Sequence, residues 1–400
     1  MGDYSKALEF YEKSHKILEK ALPPNHPDLA TSYNNIGQVY NNMGDYSKAL
    51  EFYEKSLKIY EIALPPNHPS LATLFTGIGL VYNNMGDYSK ALEFYEKSLK
   101  ITETALPPNH PDLAASYNNI GLVYGNMGDY PKALEFSEKS HKIFETALPP
   151  NHPDLASLYG NIGGVCEDTG DYSKALEFYE KSIKIFEIAL PPNHPSLATS
   201  YNNIAGVYYH MGDYSKALEF YEKSHKIYEI DLPPNHSHLA TSFTCIGQVY
   251  NNMGDYSKAL EFYEKDLEIT KKALPPNHPD LATSYNNIGQ VYNNMGDYSK
   301  ALEFYEKSHK IYETALPSNH PDLATSYSNI GQVYNHMGDY SKALEFHSKS
   351  LKIRETALPP NHPDLATSYS NIGQVYNHMG DYSKALEFHG KSLKIGEVAV

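Results

Sequence analysis

The sequence predicts an all-α solenoid of stacked antiparallel helix pairs. Three observations carry that reading. A block of 42 residues recurs nine times almost unchanged over 1–378, and breaks off in a tenth copy over 379–400. Within each block, apolar residues recur at helical spacing in two runs. The runs are separated by a proline-rich segment and by a Met-Gly-Asp segment, both of which stop helices. Strict periodicity of this length marks a repeat array, in which each unit buries its apolar face on its neighbours. A single array over 1–400 is therefore expected, in place of the two or three domains that the length alone would suggest.

The elements of one unit follow in order. Pro23-Pro24-Asn25-His26-Pro27 cannot continue a helix, because proline lacks the N–H and restricts the residue before it. Pro27 then suits a first helical turn, and Asp28 places negative charge at the positive helix start. Leu29, Tyr33, Ile36, Gly37 and Tyr40 recur at helical spacing and form one apolar face. Gly37 costs helix propensity, so its expected use is close approach to a neighbouring helix. Met43-Gly44-Asp45 closes this first helix with a glycine cap and opens the second, expected from Tyr46 to about Leu64. Tyr46, Ala49, Leu50, Tyr53, Leu57 and Tyr60 form the main apolar stripe of the second helix, and Phe52, Ser56 and Ile59 a narrower one. Two buried sides fit a helix sandwiched in a stack. Glu51 with Lys55 and Glu54 with Lys58 read as solvated i,i+4 pairs. Ten second helices and nine first helices are expected, the outermost over Asp3 to about Ala21 and Asp381 to about Val398.

Composition narrows the function classes. The net charge is −15, spread evenly and without a basic stripe, which argues against nucleic acid and anionic membrane as partners. No stretch approaches the roughly 20 apolar residues needed to cross a bilayer. The opening MGDYSKALEF reads as helix, not as a signal peptide, and a cytoplasmic protein is expected. Cys166 and Cys245 lack metal-ligand spacing and read as reduced thiols. The nine linker histidines, from His26 to His362 at the block spacing, sit one per unit and read as loop caps. An active site needs a few unlike residues in one place, whereas here nearly every residue has an equivalent in every block. No catalytic residue, cofactor or metal site is expected.

Tyr33, Ile36, Gly37 and Tyr40 in the first helix, Gly44 in the turn, and Ala49, Tyr53 and Ser56 in the second helix resemble the tetratricopeptide repeat. The usual repeat has about 34 residues. The longer form, with its His-Pro-Asp-Leu-Ala entry and Asn-Asn pair, is similar to the kinesin light chain and nephrocystin group. The resemblance implies a right-handed superhelical solenoid. It departs from kinesin light chains in two ways. The sequence has no heptad coiled coil, and its first helices carry no Lys or Arg between entry proline and turn glycine.

Opposite the apolar face of the first helix runs a polar stripe of Thr31, Asn34, Asn35, Gln38 and Asn41. The resemblance implies that this face lines a concave groove, and that the paired asparagines hold a bound peptide backbone. A carboxamide suits that task, since it offers both a donor and an acceptor. The second asparagine, Asn35, recurs as Asn119, Asn161, Asn203, Asn287, Asn329 and Asn371, and Gln38 recurs as Gln248, Gln290, Gln332 and Gln374. All of these but Gln248 are the candidate peptide-binding residues. The expected function is a non-enzymatic protein–protein interaction scaffold that holds an extended peptide or partner protein in an amide-lined groove. The alternatives are a kinesin-light-chain-like cargo adaptor fragment and the regulatory array of a larger enzyme or sensor protein. Two blocks stand apart. The fourth has Cys166, Glu167, Asp168 and Thr169 where its neighbours have Tyr-Asn-Asn-Met, an acidic local mark. In the seventh, Asp266 occupies the small, buried position of the second helix, so it must reach solvent or find a partner.

Overall fold

A computed structural model describes residues 4–398, with side chains over 6–395; Met1 to Asp3, which open the first copy, lie outside the described residues. Two compact units, Met1–Met211 and Gly212–Val400, make up the chain. In the first unit α1 (Tyr4–Ala21) is followed by α2 (Pro27–Asn42), α3 (Tyr46–Ala63), α4 (Pro69–Asn84), α5 (Tyr88–Ala105), α6 (Pro111–Asn126), α7 (Tyr130–Ala147), α8 (Pro153–Asp168), α9 (Tyr172–Ala189) and α10 (Pro195–His210). The second holds α11 (Tyr214–Asp231), α12 (Ser237–Asn252), α13 (Tyr256–Ala273), α14 (Pro279–Met295), α15 (Tyr298–Ala315), α16 (Pro321–His336), α17 (Tyr340–Ala357), α18 (Pro363–His378) and α19 (Tyr382–Val398). Even-numbered helices are the first helices of the pairs and odd-numbered ones the second. The described residues contain no strand.

Local chemistry sets each boundary. The linker histidine caps the first helix: His26 Nδ1 accepts from the Asp28 N–H at 3.2 Å, and His68, His110 and His152 do the same in their own loops. This role requires an unprotonated Nδ1, and it satisfies one of the orphan N–H groups of the first turn. At the other end Gly44 takes φ 77°, a conformation that costs glycine nothing. Its N–H donates to Asn41 O at 3.0 Å and the Asp45 N–H to Tyr40 O at 3.0 Å, a Schellman closure. Asp45 then caps the second helix through the Lys48 N–H, and its carboxylate pairs with the Lys48 ammonium at 3.0 Å. Lys55 pairs with Glu51 as expected, but Glu54 and Lys58 form no ion pair among the described residues. Lys48 instead turns back to Asp45 and lies 4.9 Å from the Tyr40 ring centre.

Within a pair, α2 and α3 close on Ala49, Tyr53 and Ile36, and the Tyr40 and Phe52 rings stack at 5.4 Å. Gly37 does what its cost in helix propensity implied. A Cβ there would meet the Tyr53 ring at 2.9 Å and Ala49 O at 3.2 Å, so its absence lets the two helices approach closely. Second helices carry the next first helix on their other side, through Tyr60, Leu71 and Leu74 in the α3–α4 step. First helices also touch one another, α2 on α4, α6 on α8, α8 on α10 and α16 on α18. Within each unit, that neighbour contact brings the polar stripes of successive first helices side by side.

Candidate functional site

The polar stripe is a partly bonded ladder, not a uniformly open surface. Asn161 Nδ2 donates to Asn118 Oδ1 of the preceding first helix at 3.0 Å, and Asn329 to Asn286 at 2.8 Å. Asn371 donates to Ser328 Oγ at 3.3 Å. A second row of rungs lies near the helix ends: Asn84 to Asn41 at 3.2 Å, Asn126 to Asn83 at 3.0 Å and Asn294 to Asn251 at 3.1 Å. Asn41, read from sequence as part of the exposed stripe, is buried, because the next first helix covers it. Asn35, Asn119, Asn203 and Asn287 are half-buried, and their side chains make no hydrogen bond among the described residues. Gln38 bonds Asn42 through Nε2 at 3.2 Å and accepts from the Tyr53 hydroxyl at 3.4 Å. Gln290, Gln332 and Gln374 are exposed.

Clefts open where a first helix, its second helix and the next first helix meet. At two of them the residue at one position of the second helix decides whether the cleft is filled. Tyr60 fills it in α3 and bonds Thr31 Oγ1 at 2.8 Å; Tyr312 in α15 bonds Thr283 Oγ1 at 3.0 Å. In α5 this residue is Thr102, and a cavity of about 310 Å³ opens among Thr73, Thr76, Ser98, Ser116 and Asn119. In α13 it is Thr270, and about 200 Å³ opens beside Asp266, Thr241, Thr244 and Ser284. A third cavity, of about 230 Å³, opens although Phe186 holds that position; it lies by Gly160, where four other copies carry the first asparagine, and Asn161 and Asn203 line it together. Thr102, Thr270 and Gly160 were missed in the sequence reading. Their signal is the interruption of an otherwise bulky or amide column when the copies are laid over one another.

The titratable groups are local exceptions in this uncharged surface. Asp266 is 4% exposed; Thr270 Oγ1 donates to its Oδ1 at 3.2 Å, and it forms no ion pair among the described residues. Burial raises its carboxyl above the ordinary carboxylate range, against the lowering effect of hydroxyls from Ser284, Thr270 and Thr244. Asp266 has thus found partners for its lone pairs and none for its charge. Glu167 is half-buried and accepts from the Tyr179 hydroxyl at 3.0 Å, with His210 Nε2 at 3.9 Å; burial raises its carboxyl too. Burial pushes the Cys245 thiol up to about 11 and the Cys166 thiol upward, which leaves neither poised as a nucleophile. Among the described residues no group of three or more His, Cys, Asp or Glu side chains could hold a metal ion.

Comparison with known proteins bears on the fold. No curated protein matches the sequence. The signal transduction ATPase with numerous domains from Pyrococcus horikoshii, which has a tetratricopeptide repeat sensor, is similar over 98% of this chain and 53% of its own, with TM-score 0.59 and 16% identity. The apo form of RapI is similar over 71% of this chain and 97% of its own, with TM-score 0.56 and 16% identity. A proposed kinesin light chain from Podosopora anserina, with nearly identical repeats, is similar over 52% of this chain and 98% of its own, at 24% identity and TM-score 0.45. None of the described helices is long and apolar enough to cross a membrane. The tetratricopeptide repeat family model matches residues 1–62, 70–146, 112–188, 154–230, 238–314 and 322–397. Helix pairs packed in register with those matches make the chain a member of the tetratricopeptide repeat family.

Proposed function

We propose that the chain is a non-enzymatic interaction scaffold, working in the cytoplasm, that holds an extended peptide or an extended segment of a partner protein along its first helices. Repeats of this family generally bind proteins or peptides. The observation that carries the reading is the set of unspent amides beside open clefts. Asn119 and Asn203 each line a cavity and make no hydrogen bond of their own among the described residues, and Asn35 and Asn287 hold the same position in other copies. A carboxamide in that state can donate to a peptide C=O and accept from its N–H. Asn161, Asn329 and Asn371 are already engaged with the preceding helix, so their part is to hold adjacent first helices in register. No Lys or Arg stands on these helices between entry proline and turn glycine, so shape and backbone bonding set affinity more than charge does.

The test starts by capturing the partner with the intact chain. Asn35, Asn119, Asn203 and Asn287 are then changed together to alanine. One hydrogen bond is worth about 0.5–1.5 kcal/mol, so affinity is expected to fall roughly tenfold or more, with Tm nearly unchanged. Undiminished affinity would place the partner on the second helices or the linkers.

A further inference from the structure

The chain fills one of its own clefts with a guanidinium. In α17 the cleft-filling position is Arg354, 7% exposed. Its Nη1 donates to Ser368 Oγ at 2.8 Å and to Asp364 O at 3.3 Å, and its Nη2 to Thr325 Oγ1 at 3.5 Å. Those three acceptors lie two repeat lengths beyond Ser284, Asp280 and Thr241, all of which line the cleft between α12, α13 and α14. The second cleft therefore repeats the guanidinium cradle of the first. Four of its lining residues differ: Ser237 and Thr244 stand where the α17 cleft has Pro321 and Ser328, and the other two change its chemistry. Thr270 stands in place of the arginine and leaves about 200 Å³ unfilled. Asp266 stands in place of Ser350, so a buried carboxylate lines a space that no Lys, Arg or His lines among the described residues.

We propose that the cleft between α12, α13 and α14 is a guanidinium site, which takes an arginine side chain of a peptide bound along the first helices. Asp266 supplies the counter-charge, and Thr241, Ser284 and the Asp280 carbonyl accept the N–H groups that Arg354 gives to their equivalents. Ala240, Ile269 and Ala273 line the same cleft and cover the methylene stem. A guanidinium is suited to this set, because its fixed fork of five donors matches several acceptors at once. Binding would also cancel an otherwise uncompensated buried charge. The cleft at Thr102 has the same opening with Ser98 in place of the carboxylate, and serves as an internal control. The source of the arginine rests on the peptide-binding reading above, whereas the cradle itself does not.

The experiment therefore has an arm that needs no partner. Thr270→Arg is made in the intact chain and in a Asp266→Ser background, a serine that the other copies already tolerate. The arginine is expected to raise Tm by several degrees in the parent and to lose at least half of that gain when Asp266 is serine. Ethylguanidinium is titrated while the methyl resonances of Ala240 and Ile269 are followed by NMR. Saturable shifts are expected, at least tenfold weaker in D266S and absent in T270R, with n-butylammonium weaker than ethylguanidinium. A Tm gain equal in both backgrounds, no gain, or shifts unchanged in D266S would overturn the site. Once a partner is in hand, undiminished affinity for D266S would overturn the assignment of its arginine to the cleft. Failure of the asparagine variant to weaken the partner speaks only to the peptide-binding reading, so the two can fall separately.

Discussion

The position of Tyr53, Tyr95, Tyr179 and Tyr305, buried against a glycine of the first helix in each pair, is His347 in α17. The ring is buried and packs 3.0 Å from where a Cβ on Gly331 would stand. Burial, helped by the positive charge of nearby Arg354, lowers its pKa to about 4. The ordinary histidine value is near 6.5. The sign follows from proton uptake. Above pH 6.5 the imidazole is neutral in both states and stability does not vary with it. Between 6.5 and 4 the unfolded chain binds a proton that the folded chain refuses, so stability falls with pH, by on the order of 3 kcal/mol over the window. Urea unfolding midpoints are expected to drop more steeply over this range in the parent than in a His347→Tyr variant, which restores the residue of most other copies. Parallel pH profiles would show that the ring gains solvent or a proton acceptor in the folded chain. Asp266 has the opposite consequence. A carboxyl raised by burial weakens the fold as pH rises above the ordinary carboxylate value, and that cost is the residue-scale reason to look for its cation.

At the scale of helices, the first-helix face has two tasks that the sequence writes with the same residue. Asn329 bonds the preceding helix at 2.8 Å, whereas Asn287, one repeat earlier at the same position, makes no such bond among the described residues. Alanine at 329 is expected to cost about 0.5–1.5 kcal/mol of stability, and alanine at 287 close to nothing. Chemical denaturation of the two single variants measures the difference, and equal costs would mean that the rung at Asn329 contributes no net stability. Helix boundaries were legible because their causes are local: a proline that cannot donate, a glycine with positive φ, and an aspartate or histidine within reach of a first-turn N–H. The state of each asparagine was not legible, because a polar stripe read on one helix carries no information about the next helix laid beside it. Asn41 shows the error: polar and opposite the apolar face, it is nevertheless buried by its neighbour. The clefts were half legible. Thr102, Thr270 and Arg354 break a column of Tyr and Phe in plain view. Whether a shortened side chain leaves a void or lets the walls collapse depends on how far the surrounding backbone can move.

At the scale of the whole chain, stability in a repeat array is approximately a sum of unit terms and nearest-neighbour interfaces. In this 400-residue chain α1 has a neighbour on one side, and Phe10 and Ile17 stand 67% and 68% exposed. In α19, Leu386 and Leu393 are 75% and 68% exposed, whereas their equivalents Leu50 and Leu57 are partly buried against the α2–α3–α4 core. Each uncovered side chain forgoes a part of the roughly 1.5–3 kcal/mol that full burial is worth, since its inner counterpart is itself partly buried. Gly390 adds a helix penalty of about 0.5–1 kcal/mol relative to alanine. Opening free energies should therefore be lowest at the two outermost helices and highest in inner pairs such as α4–α5 and α14–α15. Hydrogen exchange followed by mass spectrometry resolves this helix by helix. Protection of α1 and α19 equal to that of the inner pairs would mean that the chain unfolds as one cooperative block, and that the nearest-neighbour description does not hold for copies this similar.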